Sequence, residues 1–152
     1  MQVAQKYAQL SATKPKLQKT MRLLNAFYLA TAAIAAYVYH IRNTTHITPL
    51  VFLGIGLQFL ASRAMRTNSA GLLVTFSTIT GLFGAYLLYA GVGRAMTAIQ
   101  LAGAEPLFLV ALVVNAFGAV GHLVAVYFAR VLVDAMRITV KKSRVTSNKK
   151  QS

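Results

Sequence analysis

The chain has 152 residues, 57% of them hydrophobic, and its 16 Lys and Arg face only two acids, for a formal net charge of +14. That length holds one unit of several helices and no second domain, and two carboxylates leave little material for acid–base catalysis. The absence of cysteine excludes disulfides and thiolate metal sites.

Residues 1–22 read as a basic N-terminal tail. Lys6, Lys14, Lys16, Lys19 and Arg22 lie in it without an acid, a composition similar to a mitochondrial targeting segment, and Met1 is not followed by the apolar stretch and small-residue cleavage site of a secretory signal. Charges then act as fences. A first apolar span covers about 23–40, with Pro15 expected in the first turn of its leading helix, where a missing N–H costs nothing. A second, the shortest, covers about 46–62 between Arg42 and Arg63, with Pro49 near its start. The third is the most decisive. Thr67–Gly93 is 27 consecutive residues without a charge, and its body, 70–92, exceeds the ~20 apolar residues that cross a bilayer as a helix. Its polar side chains, chiefly Thr75, Ser77, Thr78 and Thr80, can bond inside a helix or at a helix contact. A fourth span, 106–129, opens on Pro106 and ends before Arg130. The pattern predicts an all-α integral membrane protein, a four-helix transmembrane domain over 23–129.

Residues 130–152 form a basic C-terminal extension. Arg130, Asp134, Arg137 and Lys141 follow i, i+4, i+7, i+11 spacing as one charged stripe, with Asp134 expected as the intrahelical ion-pair partner of both arginines. Lys141–Ser152 adds Lys142, Arg144, Lys149 and Lys150 among Ser, Asn and Thr, and by itself is expected to be disordered.

With four spans, 14 of the 16 basic residues fall on one side, leaving Arg42 and Arg94 opposite. Lys and Arg accumulate on the non-translocated side, so both termini are expected to face cytosol or mitochondrial matrix. Tyr37, Tyr39, Tyr86 and Tyr89 fall at the outward ends of the first and third helices, as an aromatic belt would.

No catalytic site is expected. Glu105 and Asp134 would stand on opposite sides of a layer ~30 Å thick, Glu105 meeting the positive dipole end of the fourth helix. His40 and His46 flank a short outward turn but make an incomplete metal site. His122 lies mid-helix with no second histidine at its depth to share a haem, so no cofactor or metal is expected. An ionisable residue inside a membrane is still a functional candidate by default. It stands in a stripe, Ala111, Asn115, Gly118, His122 and Ala125, of small and hydrogen-bonding residues. Ser77, Gly81, Gly84 and Gly91 form a matching stripe on the third helix, and Ala32 and Ala36 a shorter one on the first. Such stripes are expected as helix-packing surfaces. Gly91-Val92-Gly93 closes a helix and does not open a nucleotide loop. Asn43-Thr44-Thr45 matches a glycosylation acceptor squeezed between two helices.

In Leu17-Gln18-Lys19, then Ala32-Ala33-Ile34-Ala35-Ala36-Tyr37-Val38-Tyr39-His40, then Gly71-Leu72-Leu73 with Phe76 and Thr80-Gly81, the chain resembles the Bax inhibitor family of polytopic membrane proteins. Pro106–Arg130 is similar to the family's fourth helix, and the likeness runs from about Pro15 to Arg130. It implies a helical membrane scaffold and a small ion channel or transporter. The family's further helices, with paired aspartates linked to a pH-sensitive calcium leak, have no counterpart here, and Leu88 and Tyr89 stand about where it often has an acid. The resemblance thus implies a shortened relative that kept the scaffold and to which no ion-conducting residue carries over.

The leading functional expectation is a non-catalytic accessory subunit of a larger complex of the mitochondrial inner membrane, of respiratory-chain, ATP synthase or translocase type, with the endoplasmic reticulum as the alternative membrane. Lys14, Lys16, Lys19, Arg22, Arg63, Arg66, Arg130, Arg137, Lys141, Lys142 and Arg144 would meet partner subunits and anionic phospholipid such as cardiolipin. The runner-up is a Bax-inhibitor-like channel with His122 and Asn115 in its path. An RNA-gripping tail is disfavoured for want of interleaved aromatics.

Overall fold

Four α-helices follow one another: α1 (Gln2–Arg42), α2 (Leu50–Thr67), α3 (Ala70–Gln100) and α4 (Pro106–Asn148). The computed structural model describes residues 2–42, 50–100 and 106–148. The Asn43-Thr44-Thr45 pattern, His46, Pro49, Glu105, Lys149 and Lys150 lie outside the described residues, as do the side chains of Tyr39, His40, Lys141, Lys142 and Arg144. Within α3 and α4, Ala70–Gly93 and Leu109–Arg137 (24 and 29 residues) are long and apolar enough to cross a membrane.

The turn from α2 to α3 is dictated by two residues. Asn68 takes the left-handed conformation, φ 49°, which Asn tolerates better than most side chains. The Ser69 N–H then reaches back to the Ala64 carbonyl at 3.1 Å, the C-terminal closure in which the residue after the left-handed one bonds to a carbonyl of the last helical turn. Ser69 next serves as N-cap of α3, its hydroxyl accepting from the Leu72 N–H at 3.4 Å. Lys14 Nζ donates to Asn68 Oδ1 at 2.6 Å, tying α1 to the same turn.

Neighbouring helices run antiparallel. Gln58 donates to the Met21 carbonyl at 2.8 Å, and Gly54 faces Tyr28. Between α1 and α4, Leu24 packs on Gly121 and Phe27 on Gly118; between α3 and α4, Gly81 meets Val126 and Gly84 meets His122. Direct contacts run around the ring α1–α2–α3–α4–α1, most extensively along α4. The result is an up-down-up-down bundle with Lys14, Asn68 and Arg137 toward one end. Its core runs from Phe83 and Leu87 through Phe76 and Leu73 to Leu17, Leu132 and Met136. Its exterior is apolar too: Leu29, Phe59, Leu82, Phe117 and Tyr127 are all exposed.

Several expectations need correction. Residues 2–22 are no separate tail but the first half of α1, and Thr13, Leu17, Thr20 and Met21 are buried along it. Pro15 is therefore inside a helix rather than in a first turn. Lacking an N–H, it leaves the Ser11 carbonyl without its intrahelical donor, a loss of about 3 kcal/mol in an ordinary helix interior. The burial of flanking side chains offsets that loss. α3 continues through Gly91 and Gly93 to Gln100, because two glycines lower helix propensity without supplying a competing turn. α4 stays helical to Asn148 where disorder was expected from Lys141 onward. Among the described residues no salt bridge joins Asp134 to Arg130 or Arg137. All three are exposed, and exposed pairs gain too little to hold two long side chains together.

Candidate functional site at His122

His122 is fully buried, at 0% exposure, although an imidazole carries two polar atoms that burial alone would leave unpaid in hydrogen bonds. Both are satisfied. Nδ1 lies 2.5 Å from the Gly118 carbonyl one turn earlier in α4, and a carbonyl only accepts, so Nδ1 carries the proton. In the neutral ring that leaves Nε2 as an acceptor, and Tyr28 Oη, 2.8 Å away on α1, donates to it. The tautomer follows from the network.

Rings close the site on its remaining sides. Phe83 of α3 stands 4.9 Å from the imidazole at 72°, Phe27 of α1 at 5.7 Å and 86°, and the Tyr28 ring at 5.8 Å and 80°. These are edge-to-face contacts, the arrangement that pairs a ring's positive edge with a negative face. Glycines admit them. A Cβ on Gly118 would overlap the Phe27 ring, one on Gly54 would lie 2.6 Å from the Tyr28 ring, and one on Gly84 would lie 3.1 Å from His122 Cβ. The cluster therefore takes a residue from every helix: Tyr28, Gly54, Phe83 and His122.

The stripe on α4 lies on the packed side. Asn115, Gly118, His122 and Ala125 are buried and Ala111 is half-buried. On α3, Ser77 and Gly84 are buried and Gly81 half-buried, whereas Gly91 has open space where a Cβ would stand. On α1, Ala32 is half-buried and Ala36 exposed. Ser77 Oγ and Thr80 Oγ1 are buried with no hydrogen-bond partner. Thr75 and Thr78 by contrast return their hydroxyls to the carbonyls of Gly71 and Val74.

Five of the described basic residues line two clefts at one end of the bundle. Lys14, Arg22 and Arg66 line one between α1 and α2, of about 410 Å³, with Gln58 and Ser62. Arg130 and Arg137 line another between α3 and α4, of about 290 Å³, together with Asp134 and Ser77. Lys16, Lys19 and Arg63 are exposed outside both. Tyr37, Tyr86 and Tyr89 are exposed. Among the described residues no three His, Asp or Glu gather as metal ligands.

Tyr28, Phe27 and Phe83 were not singled out from sequence. The available signal was the depth of Tyr28: it sits well inside the first span while Tyr37 and Tyr39 stand at its edge, and a hydroxyl at that depth needs a partner. The geometry is that of a structural lock with every polar atom of the imidazole in use. Comparison with protein-family models, curated proteins and solved structures found no match.

Proposed function

We propose that this chain is a non-catalytic subunit of a larger membrane assembly, crossing the bilayer four times with both termini on the positively charged side. The mitochondrial inner membrane, termini toward the matrix, is the favoured setting. The observation that carries this reading is the division of polar groups. Mid-bundle, the His122 imidazole is satisfied internally behind aromatic rings, while the outer surface is apolar and the cationic clefts gather at one end. Such a molecule offers its neighbours a greasy flank and a charged end, while its His122 imidazole, bonded at both nitrogens, offers a solute no free polar atom.

The competing proposal is a Bax-inhibitor-like channel that conducts past His122 and Asn115. It requires the Tyr28–His122 bond to open. Native purification in mild detergent, followed by identification of co-migrating proteins, tests the subunit reading: stoichiometric membrane partners are expected, and stable recovery as an isolated monomer would count decisively against it.

A further inference from the structure

Asp134 is one of two acids in a chain with 16 basic residues, and it stands one helical turn from Arg130 and Arg137, lining the same cleft. Among the described residues it makes no salt bridge with either. The cleft thus presents two guanidinium groups and one unneutralised carboxylate side by side. A simple anion matches only part of that pattern. A ligand that carries an anion and a cation a few bonds apart matches all of it.

We propose that the α3–α4 cleft is a headgroup site for a phospholipid bearing a primary amine, a phosphatidylethanolamine. Arg130 and Arg137 hold the phosphate, since guanidinium forks match phosphate oxygens with paired hydrogen bonds. Asp134 accepts hydrogen bonds from the ammonium, a contact closed to a trimethylated amine, which has no N–H to donate. Ser77 lines the cleft with a buried hydroxyl that has no partner, so its donor remains free for a phosphate oxygen once it rotates between staggered wells. The volume, about 290 Å³, suits a headgroup and not a whole lipid, ligand pockets generally running about 300–1,000 Å³. Acyl chains have their own track. One turn from Thr78 on α3 comes Leu82, 69% exposed, and just before Arg130 on α4 comes Tyr127, 64% exposed, both leading from the cleft along the apolar flank.

The proposal rests on the membrane part of the reading above, and its test is independent of partners. The full chain, purified in mild detergent, is incubated with phosphatidylethanolamine or phosphatidylcholine of identical acyl chains, and retained lipid is read by native mass spectrometry. Retention of the ethanolamine lipid is expected to exceed that of the choline lipid about tenfold, the worth of one charge-assisted hydrogen bond. Asp134→Asn should bring the two to the same level without lowering choline-lipid retention, which also reports that the variant is folded. Asp134→Glu should keep the preference, and Arg137→Gln should weaken both lipids. Equal retention by the native chain, or a preference that survives Asp134→Asn, overturns the proposal. Displacement of the lipid by equimolar O-phosphoethanolamine overturns its assignment to a lipid and makes the cleft a site for the soluble headgroup. Loss of the co-migrating partners would leave the selectivity intact, and loss of selectivity would leave the partners in place, so the two failures are distinguishable.

Discussion

Because Nδ1–H donates to the Gly118 carbonyl, His122 has a single lone pair left at Nε2, and Tyr28 is what meets it. Tyr28→Phe leaves that lone pair against apolar rings. The expected loss is about 0.6–2 kcal/mol, the range for hydrogen bonds between membrane helices. A double-mutant cycle with His122→Leu, followed by unfolding in mild detergent, should return a coupling energy of the same size; strict additivity would mean that the bond does not lock the bundle. Ion flux through reconstituted vesicles should be unchanged by either substitution, and its abolition with assembly intact would promote the channel instead. Thr80→Val should be neutral or stabilising by about 1 kcal/mol in the same assay, since the hydroxyl it removes is buried without a partner. His122 was legible in the sequence because no other ionisable residue lies so deep in an apolar run. Its partner was not, because a local pattern carries no information on a contact 94 residues away.

The helices were legible through prolines and charges, but their ends were not. Pro106 marks the start of α4 correctly, since proline loses nothing at a first helical position. Charges mark where a chain stops being apolar, which is a different matter from where it stops being helical. Hence α1 begins at Gln2, well before the first turn expected at Pro15, and α4 runs on to Asn148. Within an element, neighbouring glycines differ. Gly54→Ala drives a Cβ to 2.6 Å from the Tyr28 ring and should cost about 1–3 kcal/mol by overpacking. Gly56→Ala, where nothing lies within 4 Å, should be neutral or gain up to about 1 kcal/mol in helix propensity. Thermal unfolding of the two variants side by side is the check, and equal effects would refute the close α1–α2 approach. At the α2–α3 turn, Asn68→Val should cost about 1–2 kcal/mol for its left-handed backbone, whereas Asn68→Gly should relieve the backbone and lose only the contact to Lys14.

For the whole molecule, the same-end placement of Lys14, the α2–α3 turn and Arg137 makes a topological prediction. Tags on the two termini should be protected from, or open to, an added protease together; opposite behaviour would sink the four-span proposal. α1 and α4, with 41 and 43 residues, measure about 60–65 Å at 1.5 Å per residue, roughly twice a hydrocarbon core of ~30 Å. Under the four-span proposal the excess lies at the charged end, where the core carries on through Leu17, Leu132 and Met136. Truncation after Thr139 spares that core, so under the subunit proposal the shortened chain should still insert while incorporating poorly into a larger complex, as read on a native gel. Normal incorporation would show the last turns of α4 to be dispensable for assembly.

The span of the Tyr28–His122 bond also has a meaning in time. Its two ends are separated by 94 residues, and a ribosome adding about 5–20 residues per second takes on the order of 5–20 s to cover that distance. Throughout that interval the nascent chain holds a Tyr28 hydroxyl whose mate has not been made, and the notch at Gly54 closes on a ring that is fastened on one side only. Until the last helix is made, the α1–α2 pair lacks the bond that ties it to α4.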